Sequence, residues 1–257
     1  MRAWAEKLIE KYEAYRAKRG CTCDCCGREI FTYPKQRLCE ECEEALPKIT
    51  RSCPKCGRKT AAEGVCLECK ARMPQFLFAL APFAYENSAA SMINRFKNGE
   101  KYLAHFFAER IAPLISARFP QENVVLDECV FTCVPDRIEA RANRRERRYN
   151  PAETLAKTVC GLLGVPSDGE MLIKSRETRQ QKKMSKSERF ENVRGAYRVH
   201  ERAKCRGKTV VVFDDILTTG ATGDECARIL LAAGAKRVII VTATSVAEKS
   251  EFPEFAG

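Results

Sequence analysis

Four Cys-x-x-Cys pairs stand in a row along the first third of the chain, at Cys23/Cys26, Cys39/Cys42, Cys53/Cys56 and Cys66/Cys69, with 12, 10 and 9 residues between successive pairs. A Cys-x-x-Cys turn puts both sulfurs on one side of a tight loop, and two such turns complete a tetrahedron around a metal ion. Two pairs run straight into glycine, at Gly27 and Gly57, where a knuckle often needs left-handed backbone. From Cys21 to about residue 70 apolar periodicity is slight, so this stretch lacks an obvious hydrophobic core and needs another staple. Zinc in one or two four-cysteine sites is expected, structural rather than catalytic, because the ligands are all thiolates and the two histidines, His105 and His200, lie far away. Sequential pairing and a cross-braced arrangement both fit the spacing, and Cys21 and Cys25 are surplus. Of the 15 cysteines, the five later ones (Cys129, Cys133, Cys160, Cys205 and Cys226) read as small buried apolar residues.

So many cysteines outside a disulfide framework suit a reducing, cytoplasmic compartment. Residues 1–20 show Trp4, Leu8, Tyr12 and Tyr15 at helical spacing before Gly20, and mix both charge signs without an apolar run. A helix is expected there, and no signal peptide. No stretch of 18 consecutive apolar residues exists, so no membrane span is expected. The formal charge is +11, and two zinc ions, each in a four-thiolate site at about −2, would leave roughly +7. That balance favours anionic partners: nucleotides, phosphorylated sugars, nucleic acid or anionic lipid.

Beyond the cysteines the pattern changes. Strands are predicted at 76–85, 124–134, 209–213 and 237–242, and helices at 88–118 (with a break at Asn98-Gly99), 152–163 and 222–233. Near-continuous Val/Ile runs alternating with helices predict an α/β fold with a parallel sheet covered on both faces. Two basic, apolar-poor runs, 136–148 and 174–189, read as loops. The expected organisation is a helix over 1–20, a zinc-binding module over 21–72, the α/β domain over 76–247 and a tail over 248–257.

The segment from Val210 to Thr222, VVVFDDILTTGAT, concentrates the chemistry. A buried strand delivers Asp214 and Asp215 at its carboxyl end, where open parallel sheets bind ligands. Thr218, Thr219, Gly220, Ala221 and Thr222 then offer hydroxyls, backbone N–H groups and a helix N-terminus to a phosphate. The two carboxylates suit sugar hydroxyls or, through water, Mg²⁺. A phosphate beside vicinal hydroxyls describes a ribose 5-phosphate.

This segment resembles the phosphoribosyl pyrophosphate (PRPP) signature of the type I phosphoribosyltransferases. Over roughly residues 21 to 246 the chain is similar to the ComF family, which joins a zinc module to that fold. The similarity runs through the cysteine pairs, the stretch APFAYENSAASMINRFKNGEKYLAHFFAERI, Val134-Pro135, ERRYNPAETLA, and Gln181, Met184, Ser185, Glu188, Arg189, Asn192 and Val193. The chain departs from the family pattern at Arg147-Arg148-Tyr149-Asn150, where the family has Arg-Gly-Phe-Asn, and at Cys133, where it has proline. The resemblance implies PRPP and Mg²⁺ as ligands, with Asp214 and Asp215 as catalytic residues holding the ribose. It further implies residues 218–222 around the 5′-phosphate, and Lys97, Pro135 and Arg147 at the rest of the ligand. It implies a role in natural competence and DNA uptake, with single-stranded DNA and a helicase-like protein as partners. Two functions follow from it: a phosphoribosyltransferase, of the glycosyltransferase class, or a non-catalytic single-stranded DNA-handling adaptor with a regulatory or vestigial PRPP site.

Overall fold

The computed structural model describes residues 21–32, 35–136, 149–178 and 185–248. The helix expected over 1–20, Arg147 with most of the run 136–148, and the tail after Glu248 lie outside the described residues. The chain divides into two compact units, Met1–Leu46 and Pro47–Gly257. This division differs from the boundary expected between 72 and 76, because the second pair of Cys-x-x-Cys turns stands in the same unit as the sheet.

Each unit contains one copy of the same knuckle. In the first, the Cys23 N–H donates to the Arg28 carbonyl at 2.7 Å and the Gly27 N–H to the Cys23 carbonyl at 2.9 Å. Cys39 then precedes helix α1, Glu40–Glu44, as its N-cap. In the second, the Cys53 N–H donates to the Arg58 carbonyl at 3.0 Å and the Gly57 N–H to the Cys53 carbonyl at 2.9 Å. Cys66 caps helix α2, Leu67–Ala71. Short helices of this kind cannot hold themselves together, so the turns around them must fix them.

The copies differ in what surrounds them. Gly27 and Gly57 both sit at positive φ, 77° and 68°. A Cβ at Gly27 would meet nothing within 4 Å, whereas one at Gly57 would fall on the carbonyl oxygen of Ala79. The Ala79 N–H also donates to the Lys55 carbonyl at 2.9 Å, so this knuckle is seated on a strand of the sheet. Gly27→Ala should therefore cost about 1 kcal/mol, for the backbone alone, and Gly57→Ala about 3 kcal/mol or more, because backbone must move. Thermal melts of the two variants check this; equal costs would contradict the close seating.

The second unit continues with β1 (Phe78–Leu80), β2 (Phe83–Ala84), α3 (Asn87–Lys97), α4 (Leu103–Gln121), β3 (Cys129–Cys133) and α5 (Pro151–Leu163). It is completed by β4 (Leu172–Lys174), α6 (Lys186–Val193), β5 (Tyr197–Val199), α7 (Arg202–Cys205), β6 (Thr209–Leu217), α8 (Ala221–Ala232) and β7 (Arg237–Ser245). The main sheet runs β1-β7-β6-β3, with β2 also on β7, and every pairing in it is parallel. β4 and β5 form a separate antiparallel pair. Val210 to Phe213 and Val238 to Val241 are buried throughout, as strands covered on both faces must be. Val210, Val212, Val238 and Ile240 pack with Cys226, Ala227 and Leu230 of α8 and with all four cysteines of the second knuckle. Successive side chains alternate across a strand, so Val211, Phe213, Ile239 and Val241 face the opposite layer, where α3, α4 and α5 lie. Phe83, Phe96, Phe106 and Phe107 form a linked set of aromatic contacts in that layer.

The predicted break at Asn98-Gly99 separates α3 from α4. The strand predicted over 124–134 is shorter, because a 3-10 turn occupies Leu126–Glu128. The run 174–189 is not a loop throughout. Lys174 ends β4, and α6 starts at Lys186 behind a capping box in which Ser185 and Glu188 satisfy each other's backbone N–H. Of the five later cysteines, four are buried and Cys129 is partly exposed. Among the described residues no helix is long and apolar enough to cross a membrane.

Candidate functional site

β6 extends past Phe213, so Asp214 and Asp215 stand on the strand itself, with Asp214 in register with Thr242 of β7. The chain then turns through Thr218, Thr219 and Gly220. Gly220, at φ 81°, is the N-cap of α8, and the Thr219 hydroxyl accepts from the Ala221 N–H at 3.3 Å. α8 lies close to the sheet at its first turn, where a Cβ on Gly223 would meet the Ile240 side chain at 3.2 Å. That contact holds the positive end of the helix near the carboxyl ends of the strands.

A cavity of about 760 Å³ opens at this edge. Asp214, Asp215, Thr218, Thr222, Lys97 and Pro135 all line it, and so does Asn150. Ala221 is buried and, with Thr218, Gly220 and Thr222, lines a pocket of about 10 Å³ under the turn. Thr219 lies on the other side of the turn, toward the second knuckle. Of the anticipated residues outside the Asp-Asp loop, Lys97 is brought in from the end of α3, its Nζ 3.0 Å from the Asp215 carboxylate. Burial pushes the Asp214 carboxyl up to about 8, reinforced by the neighbouring Asp215 charge and opposed by the Asp215 N–H (2.8 Å) and Lys97.

The opposite wall is fixed by Asn150. Its side-chain oxygen accepts from the Ala152 and Glu153 N–H groups at 2.9 and 3.3 Å, capping α5, while its amide donates to the Val134 carbonyl at 3.1 Å. One residue therefore sets both the start of α5 and the end of the β3 segment at Pro135. Tyr149, where the ComF pattern has phenylalanine, packs edge-on against Phe96 at 5.6 Å. It retains the aromatic packing role.

Two further cations in this wall, Lys174 and Arg189, stand at the two ends of the basic run 174–189. Lys174 is buried and donates to the Asp136 carbonyl at 3.2 Å. Arg189 lines the cavity, and its Nε is buried without a hydrogen-bond partner among the described residues. A guanidinium in the wall of a cavity fits an anionic ligand. The Ser185-x-x-Glu188 capping signature could have placed Arg189 on a helix, but nothing local could have brought it to the cavity that Asp214 lines.

The cysteines group sequentially. Cys23, Cys26, Cys39 and Cys42 form one cluster and Cys53, Cys56, Cys66 and Cys69 the other, with all four sulfurs of each within 4.8 Å of one another. The cross-braced alternative is thereby excluded. Cys56 and Cys66 have sulfurs 3.6 Å apart, and Cys26 and Cys39 3.8 Å. A tetrahedron with metal–sulfur bonds of ~2.3 Å has edges of about 3.8 Å, so either cluster could hold a zinc-sized ion. Burial opposes ionisation at Cys53, but N–H groups of Cys66, Cys56 and Lys55 bring its thiol down to about 7. The corresponding backbone donors do the same for Cys23.

The all-parallel sheet, the acidic pair at a strand's carboxyl end and the glycine turn into α8 define a protein of the type I phosphoribosyltransferase fold, and the phosphoribosyl transferase domain model matches residues 150–256. Along about four-fifths of its length the chain is similar to proteins of the ComF family. It is 26% identical over 220 residues to competence protein ComFC of Bacillus subtilis, covering 82% of this chain and 85% of that protein. It is 25% identical over 206 residues to DNA utilization protein YhgH of Salmonella typhimurium, covering 78% and 87%. The solved B. subtilis glutamine PRPP amidotransferase, complexed with ADP and GMP, matches 55% of this chain and 25% of its own at 24% identity, with a TM-score of 0.32.

Proposed function

We propose that this protein binds PRPP with Mg²⁺ in the cavity at the end of β6 and acts in handling DNA during natural competence. The observation that carries the reading is the convergence in one cavity of an acidic pair, Thr218 and Thr222 of the turn into α8, and cations from three other elements. Thr218 to Thr222 would receive the 5′-phosphate, Asp214 and Asp215 the ribose hydroxyls. Lys97, Lys174 and Arg189 supply positive charge on the side where the pyrophosphate would lie. Mg²⁺, when bound, would neutralise part of the pyrophosphate charge. Asp215 must exchange its Lys97 partner for the ligand, which at a half-exposed pair costs little. The names of the relatives support a role in competence and DNA utilization, and the formal charge of +11 suits a nucleic-acid partner. The all-cysteine clusters suit structural zinc, and the many free thiols a cytoplasmic setting.

Calorimetric titration of the zinc-loaded protein with PRPP tests this, with ribose 5-phosphate as control. Micromolar binding that needs both Mg²⁺ and the pyrophosphate is the expected result. No heat from a folded, metal-loaded sample would overturn the PRPP assignment and favour the non-catalytic DNA-handling adaptor.

A further inference from the structure

Both knuckles carry an arginine two residues after their second cysteine and a glutamate two residues after their third: Arg28 with Glu41, and Arg58 with Glu68. In the first copy the pair is a surface ion pair at 2.8 Å, with side chains 58% and 72% exposed. In the second, Arg58 is 3% exposed, is paired to Glu68, and donates from Nε to the Cys56 sulfur at 3.2 Å. It makes a further contact that, like the bond to sulfur, has no counterpart at Arg28 among the described residues. Its terminal nitrogen donates to the Thr218 carbonyl at 3.1 Å, in the turn between β6 and α8.

That contact stands at a weakly supported place. Arg58, Cys56, Phe76, Thr219 and Gly220 together line a cavity of about 300 Å³, so the back of the turn adjoins open space there rather than packed side chains. A cavity wall yields more readily than a packed one. A planar guanidinium held by two anionic partners is well suited to fix a carbonyl in one orientation.

We infer that Arg58 is a positioning residue: it uses the second four-cysteine cluster as an anchor to hold the phosphate-binding turn in its ligand-ready shape. Metal occupancy of that cluster and ligand binding at the turn are then energetically linked. This rests on the PRPP reading above and adds to it the regulation of the site. Linkage is reciprocal, so whatever the metal does for ligand affinity, the ligand does for metal retention. Loss of metal frees the knuckle, releases Arg58 and slackens the turn.

The test uses the full chain loaded with two zinc ions. In the parent, Mg·PRPP should tighten the binding of one of the two zinc equivalents about tenfold in equilibrium competition with a chromophoric chelator, leaving the other unchanged. Arg58→Met, with zinc content verified, should raise the Kd for Mg·PRPP about tenfold and abolish that tightening, and Arg58→Lys should restore part of both. Unchanged affinity and unchanged tightening in Arg58→Met overturn the inference while leaving the PRPP site standing. A parent that binds Mg·PRPP but shows no tightening of either zinc overturns it too, without recourse to any variant. A parent that does not bind Mg·PRPP overturns the site reading and this inference together.

Discussion

The Asp214→Ala, Asp215→Ala double variant is expected to bind Mg·PRPP at least a hundredfold more weakly than the parent while melting no lower. At pH 9, where both carboxyls are ionised, hydrogen bonds to them contribute about 1.5–3 kcal/mol each, so losing two such acceptors for ribose hydroxyls gives about 3–6 kcal/mol, a factor of about a hundred or more. Stability should move the other way. The folded Asp214 carboxyl sits at about 8 against its ordinary 3.8, chiefly through burial and then through the Asp215 charge. A raised carboxyl binds its proton more tightly in the native chain than in the unfolded one. The stability of the parent is therefore whole below about pH 4 and is lost as pH rises through about 8. Removing both carboxyls removes that loss, and truncation here only widens an existing cavity instead of opening a new one. Without added Mg²⁺, the variant should melt level with the parent near pH 4 and several degrees above it near pH 9. Calorimetry reads the affinity and thermal scans at the two pH values read the stability. Unchanged affinity would sink the ribose assignment, and a lower melt at the higher pH would contradict the burial of Asp214. An active site that costs the apo protein stability is the expected signature of groups arranged for a ligand.

How far such a site can be read from residues alone depends on whether its parts are local. VVVF followed by Asp-Asp and a Thr-Thr-Gly-Ala-Thr turn was legible because strand, acidic pair and helix start lie within 13 consecutive positions. Cys-x-x-Cys spacing located the two four-cysteine clusters for the same reason. It could not separate sequential from cross-braced pairing, which depends on how two turns meet in space. Arg58 was illegible: Arg28 occupies the same motif position, and only the seating of the second knuckle on Ala79 separates a buried strut from a surface ion pair. The run 174–189 was misread because its basic residues hide an ordinary cap, Ser185-x-x-Glu188, which initiates α6 despite a weakly apolar helix. Arg189 reaches the cavity through that helix, and Lys174 through β4. Tertiary placement, absent from local pattern, decided both.

The Cys53→Ser, Cys56→Ser variant is expected to lose one of two zinc equivalents and, with it, most of the stability of the sheet unit. All four cysteines of this cluster are 4% exposed or less, and they pack into the same apolar layer as Val212, Ile240 and Leu230. A structural zinc held by four thiolates is worth about 10–16 kcal/mol of apparent binding energy in small modules, comparable with the whole stability of a typical domain at about 5–15 kcal/mol. Serine also leaves hydroxyls in a layer that offers them few partners. A fall in melting temperature of more than about 15 °C is expected, or loss of a cooperative transition. Cys23→Ser with Cys26→Ser is the comparison: it should also lose one equivalent, but leave the transition of the Pro47–Gly257 unit in place, because its cluster belongs to the other unit. Should the first variant not accumulate as folded protein, stripping the parent with a strong chelator asks the same question, with release of the second equivalent coinciding with loss of the main transition. Two zinc equivalents in the Cys53/Cys56 variant would refute the ligand assignment. One equivalent with an unaltered melt would show that the cluster is an ornament on the fold rather than part of its core. If the loss is as large as expected, the cluster that resembles an appended module is instead the floor on which one face of the sheet is laid, and the turn between β6 and α8 inherits its rigidity from there.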